Sequence, residues 1–203
     1  MPRLRYAKAS PFVRKVMVAL HETGLLDQVT LEEGGSSPLE PNPEITALNP
    51  LGRIPALVLD SGLVLHDSRV ITRWIDAQAG GGRLYPTGEA LWPVLALEAT
   101  ADGMMEAALS VVYEARLRPE AERSATVTAA QKARIARVLD AWEAEGARPL
   151  QGAFDMGRGA AACALGYIDF RLTDWDWRAG RPAVAAWAAE ALARPSLAAT
   201  APA

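Results

Sequence analysis

The chain has 203 residues, half of them hydrophobic, which is enough for one large domain or two small ones and too apolar for wholesale disorder. Its formal net charge is −3, with Arg and Lys scattered rather than gathered into runs, so the electrostatics call for neither nucleic acid nor an anionic membrane surface. The single cysteine, Cys163, excludes an intrachain disulfide and a cysteine-rich zinc site, and suits a reducing compartment.

Residues 4–6 form a brief strand. Ser10-Pro11 then opens a helix, because Ser is a good N-cap and the missing N–H of Pro costs nothing at the first helical position. Phe12, Val13, Val16, Met17 and Leu20 make its apolar stripe, and Gly24 is a natural stop. A second strand is expected over 29–32, followed by a Gly/Ser/Pro-rich loop over 34–43. Residues 56–59 and 63–65 are short strands joined by the turn Asp60-Ser61-Gly62. A helix begins near Asp67 and runs to about residue 78, where Gly80-Gly81-Gly82 breaks it.

Everything beyond is helical in character: 89–116, 126–145, 155–170 and 182–193 are rich in Ala, Leu and Glu, with no convincing strand and no repeat. The order βαβ, ββα, then helices predicts a small mixed sheet beside a separate helical bundle, with domains at 1–79 and 89–203 and a linker at 80–88. The helix over 155–170 is apolar nearly all round, as a central bundle helix is. Asp155 can cap it, but Arg158 sets a cation against the helix dipole, and Gly157 and Gly159 lower its propensity. A weak first turn follows, and Arg158→Asp is expected to raise the melting temperature. No segment of about 18 apolar residues free of charge occurs, and residues 1–6 lack signal-peptide character, so a cytoplasmic protein away from the membrane is expected.

Three segments carry a resemblance. They are Ser10-Pro11-Phe12-Val13-Arg14-Lys15-Val16, Asn49-Pro50-Leu51-Gly52-Arg53-Ile54-Pro55-Ala56-Leu57 and Leu65-His66-Asp67-Ser68-Arg69-Val70-Ile71. In their order and spacing the chain resembles the soluble glutathione transferase superfamily over nearly its whole length. Ala164-Leu165-Gly166-Tyr167-Ile168-Asp169-Phe170-Arg171 and Arg194-Pro195-Ser196 are similar to bacterial members. The resemblance implies a thioredoxin-like first domain (βαβαββα, mixed four-stranded sheet), an all-α second domain, glutathione as co-substrate and a homodimer.

It further implies that Pro55 is cis, leaving the backbone of Ile54 to pair with the cysteinyl backbone of glutathione as an added strand would. It assigns the γ-glutamyl carboxylate to the Ser68 hydroxyl and N–H, and the ammonium to Asp67. A helix start offers free N–H groups and a partial positive charge for such a carboxylate, although Asp67 or Ser68 can equally serve as a plain cap. Arg53, a forked cationic donor, either reaches the glycyl carboxylate or stays a solvated loop residue.

Ser10 aligns with the Cys of thiol-transferring classes. A hydroxyl there, with the positive end of the following helix, can stabilise a thiolate, whose parent thiol has a pKa of about 8.5. The same Ser is also a structural cap. No cysteine lies nearby, which disfavours exchange through an enzyme thiol. Phe12, Met105, Ala108 and Val112 are the candidates to hold a small apolar electrophile, set against plain core packing. Trp175 and Trp177 either wall a pocket or pack across the bundle. His21 and His66 are not spaced with carboxylates as metal ligands are, so no metal is expected. Two functions stay open: a transferase acting on small apolar electrophiles, and a noncatalytic module that binds glutathione or a protein.

Overall fold

The computed structural model describes residues 1–203 and divides into two compact units. The first comprises Met1–Trp92 with Ala199–Ala203, and the second Pro93–Ala198.

In the first unit β1 (Arg3–Tyr6), α1 (Pro11–Thr23), β2 (Thr30–Glu33), α2 (Pro43–Leu48), β3 (Ala56–Val58), β4 (Val64–His66) and α3 (Ser68–Gln78) follow in that order. This is the expected βαβαββα arrangement. The four strands lie in the order β2-β1-β3-β4. β1 runs parallel to β2, with Leu4 opposite Leu31, and antiparallel to β3, with Leu4 opposite Leu57. A parallel pair needs a crossover, which α1 supplies. Leu4, Val16, Ala19, Ile71 and Ile75 are wholly buried, so the core lies where the sheet meets α1 and α3.

The caps act as their sequence predicts. Ser10 Oγ accepts from the Val13 N–H, and Gly24, at φ 73°, closes α1 in the left-handed conformation. Residues 80–88, which read as a linker, are instead held to the first unit. The Asp76 carboxylate, 4% exposed, accepts from the N–H groups of Gly82, Arg83 and Leu84 at 3.0, 3.2 and 2.7 Å. Thr72 Oγ1 and Tyr85 Oη share a 2.7 Å hydrogen bond, and Leu84 is buried beside them.

The second unit is helical: α4 (Leu91–Leu117), α5 (Ala125–Ala144), α6 (Met156–Arg171), α7 (Pro182–Leu192) and α8 (Pro195–Ala199). On α6, Met156, Ala160, Ala164, Leu165 and Ile168 are fully buried, as an all-apolar helix should be. Gly157 allows this depth, since a Cβ there would stand 2.7 Å from the Val94 carbonyl oxygen. The N-terminus of α7 lacks a side-chain cap of its own, and Glu143 of α5 accepts from the N–H groups of Ala183 and Val184 at 3.1 and 2.9 Å. No helix is long and apolar enough to cross a membrane.

Arg158 corrects the expectation of a weak first turn in α6. Its backbone N–H is capped by Asp155 Oδ1 at 2.9 Å, and its guanidinium folds back to pair with Asp155 Oδ2. Its Nε donates to the carbonyls of Leu150 and Gln151 at 3.2 and 2.8 Å. A cation that neutralises the cap and ties down the incoming loop supports the turn, and removing it would loosen both.

Trp177 resolves to packing. It is 1% exposed, its Nε1 donates to Asp169 Oδ1 at 2.7 Å, and Arg178 grips the same carboxylate at 2.6 and 2.7 Å.

Candidate functional site

Strand register gathers the candidate residues at one end of the sheet. Arg5 pairs with Ala56, and Ala56 with His66. The exit of β1 toward Ser10, the Ile54-Pro55 entry to β3 and the exit of β4 toward Asp67-Ser68 therefore share an edge.

At the first of these, Ser10 is half-buried and its N–H donates to the Ala7 carbonyl at 3.0 Å. Its Oγ accepts from the Val13 N–H at 3.3 Å. A hydroxyl that accepts one hydrogen bond keeps its own proton to donate. Capping thus leaves Ser10 able to donate to an anion at the positive end of α1.

At the second, the Ile54-Pro55 bond is cis, as the resemblance implies. The ladder of β3 begins at Ala56, so Ile54 stands outside it. Asn49, 2% exposed, closes the loop on itself. Its Nδ2 donates to the Arg53 carbonyl at 2.8 Å, and its Oδ1 accepts from the Leu51 N–H at 3.1 Å. Gly52 makes the turn at φ 62° and donates to the Asn49 carbonyl. The Arg53 side chain is exposed. Sequence reasoning assigned Asn49 nothing, although an Asn four residues before the loop's end, next to Pro50, is the available signal.

At the third, Asp67 is the N-cap of α3, with φ 71°, and its Oδ1 accepts from the Arg69 N–H at 2.8 Å. Arg69 also grips the carboxylate through Nε and Nη2 at 3.2 and 2.9 Å. Partial burial pushes the Asp67 carboxyl up. The Arg69 side chain and N–H, with Lys15 of α1, outweigh that and hold it below its ordinary value. Ser68 is 4% exposed and sits at the first helical position, where the N–H has no intrahelical acceptor.

The remaining candidates differ in exposure. Phe12 is half-buried in the first unit. On α4, Met105 and Ala108 are closed to solvent, and Val112 is 8% exposed. The open groove of the helical unit, about 350 Å³, is lined instead by Thr100, Gly103, Ala107 and Ser110 of α4 with Gln131 and Arg134 of α5. No three His, Cys, Asp or Glu side chains converge as a metal site requires.

Residues 9–78 match the glutathione S-transferase N-terminal domain, and residues 125–190 match the C-terminal domain of the same family. Over 198 residues, 95% of each chain, the sequence is 33% identical to YibF, an uncharacterised GST-like protein of Escherichia coli K12. A solved structure of a glutathione transferase family member from Pseudomonas fluorescens Pf-5 with bound glutathione is similar at a TM-score of 0.96 and 46% identity, over 100% of both chains. Another from the same source, with bound S-(propanoic acid)-glutathione, gives 0.92 and 45%, again over 100% of both.

Proposed function

The chain belongs to the glutathione S-transferase family, and on that premise we propose that it binds glutathione at the sheet edge of its first unit and transfers it to a small apolar electrophile. The observation that supports this reading is the register Arg5–Ala56–His66, which sets at one end of the sheet the strand ends that lead to Ser10, Ile54-Pro55 and Asp67-Ser68. Glutathione bound to the Pseudomonas relative supports the choice of ligand.

In this reading the Ile54 backbone pairs with the cysteinyl residue. The Ser68 N–H and hydroxyl, aided by the α3 dipole, take the γ-glutamyl carboxylate. Asp67 takes the ammonium, and the exposed Arg53 takes the glycyl carboxylate. The Ser10 hydroxyl donates to the cysteinyl sulfur and favours the thiolate, which is the nucleophile. The thiolate forms the new S–C bond while the electrophile's leaving group, or its displaced π pair, carries the electrons away. Phe12, Met105, Ala108 and Val112 belong to the same proposal as electrophile contacts, with Met105 and Ala108 giving support from beneath the surface. The proposal also includes action as a homodimer in the cytoplasm.

Calorimetric titration of glutathione into wild type and Ser10→Ala, followed by ultraviolet detection of thiolate, tests the proposal. Wild type is expected to bind and form thiolate near neutral pH, and the variant to bind without forming it. Binding by both with no thiolate would favour the noncatalytic glutathione-binding module. No binding by wild type would remove the reading altogether.

A further inference from the structure

Two buried hydroxyls join the fastened segment after α3 to the start of that helix, all within the first unit. Thr72 is wholly buried and Tyr85 is 7% exposed, and their oxygens lie 2.7 Å apart. Thr72 Oγ1 also lies 2.8 Å from the Ser68 carbonyl oxygen and 3.4 Å from that of Arg69. A carbonyl has no proton to give, so the single proton of Thr72 goes to Ser68. Tyr85 is then the donor in the contact between the two hydroxyls.

The run of bonds continues past Ser68. The Ser68 carbonyl and the Arg69 N–H belong to one peptide group, and that N–H donates to Asp67 Oδ1 at 2.8 Å. Hydrogen bonds thus lead from the Tyr85 phenol through Thr72 and the Ser68–Arg69 peptide to the Asp67 carboxylate. Each bond polarises the next, so a carbonyl that accepts makes the N–H of its own peptide a stronger donor. The origin of the run is anchored. Asp76 holds the N–H groups of Gly82, Arg83 and Leu84, and the Arg73 guanidinium lies 5.4 Å from the centre of the Tyr85 ring.

Burial explains part of this arrangement. An enclosed phenol needs a partner, and a helical Thr often donates to the carbonyl four residues back, as Thr23 and Thr100 do. Neither requirement explains why the two hydroxyls are joined, or why the run ends on Asp67. The Arg69 side chain also grips Asp67, but both members of that pair are exposed and water competes with it. The buried run is the firmer guide to where the carboxylate points.

We propose that Tyr85 and Thr72 are positioning residues for the γ-glutamyl group: they fix the Ser68–Arg69 peptide and, through it, the Asp67 carboxylate that takes the ammonium. This rests on the glutathione reading above and adds to it two side chains that act without touching the ligand.

The test measures S-methylglutathione by calorimetry against its deaminated counterpart, S-methylated glutaryl-cysteinyl-glycine, which keeps both carboxylates and lacks only the ammonium. Wild type should prefer S-methylglutathione about tenfold, the scale of one charged partner. Tyr85→Phe and Thr72→Val should each shrink that preference to about threefold, and Thr72→Ser, which keeps the hydroxyl, should retain most of it. Affinity for the deaminated ligand should stay within about twofold in all of them, since its contacts do not run through Asp67. Thermal unfolding establishes that each variant is folded at the temperature of titration. A lowered melting temperature with an unchanged preference would assign the two hydroxyls to stability alone and overturn the inference, leaving the glutathione reading standing. An equal loss for both ligands would overturn it as well. Wild type that binds the two ligands equally removes Asp67 from the ammonium, and this inference with it. Wild type that binds neither overturns the glutathione reading itself.

Discussion

Asp67 shows how one residue serves fold and ligand together. It caps α3 from a positive-φ conformation, φ 71° and ψ 125°, that lies outside the left-handed helical region and that side chains seldom adopt. The partly buried carboxyl is raised by that burial, but Arg69 and Lys15 bring it below 3.8 overall. A depressed carboxyl contributes above its unfolded pKa and loses that contribution as pH falls through the folded value. Asp67 therefore stays ionised between pH 7 and pH 5, and affinity for S-methylglutathione, which has no thiol to ionise, should agree within about twofold across that interval. Asp67→Asn should lower affinity about tenfold at both pH values, the scale of a lost charged partner. A wild-type affinity that collapses at pH 5 would show that some other group meets the ammonium. Ser10 and Asp67 were legible in the sequence as caps, because caps have a residue signature and a fixed place before a helix. Asn49 was not, because its part depends on a loop closing on itself.

At the scale of the element, Arg158 reverses the sign of a charge argument. Counting only its charge against the α6 dipole predicts a gain in stability from Arg158→Asp. The side chain instead ties Asp155 to the carbonyls of Leu150 and Gln151. Arg158→Asp and Arg158→Ala should both lower stability, by about 1–3 kcal/mol for carbonyls left short of donors, with Asp the worse because it faces Asp155. Differential scanning calorimetry decides, and an unchanged melting temperature would mean that the loop holds without it. The long helices and their ends were readable from Ser10-Pro11, Gly24, Asp67 and Asp155, since periodicity and caps agree there. The short helices α2 and α8 were not picked out from local pattern: Pro43–Leu48 and Pro195–Ala199 span six and five residues, too few to show a period. Trp177 was ambiguous because its spacing alone does not reveal Asp169 beneath it.

For the whole molecule, the proposed homodimer predicts a light-scattering mass of twice the 21.7 kDa chain, and the single-chain mass would overturn it. The mixed sheet and the helical bundle were both visible in the order of elements, whereas the division between units was blurred by three glycines that look like a flexible joint. What they begin is a segment fastened by Asp76, and a carboxylate collecting N–H groups six to eight residues ahead leaves no mark in composition. The five residues Ala199–Ala203 carry a further implication. They belong to the first unit, and Ala199, Thr200, Ala201 and Ala203 line one open pocket together with Tyr6, Lys8, Val13, Arg14 and Met17. A gene cut after Trp92 would therefore encode an incomplete half, with one wall of that pocket missing. Exchanging halves between relatives would likewise need two splice points rather than one, and a purification tag fused after Ala203 would hang beside the strand that leads to Ser10.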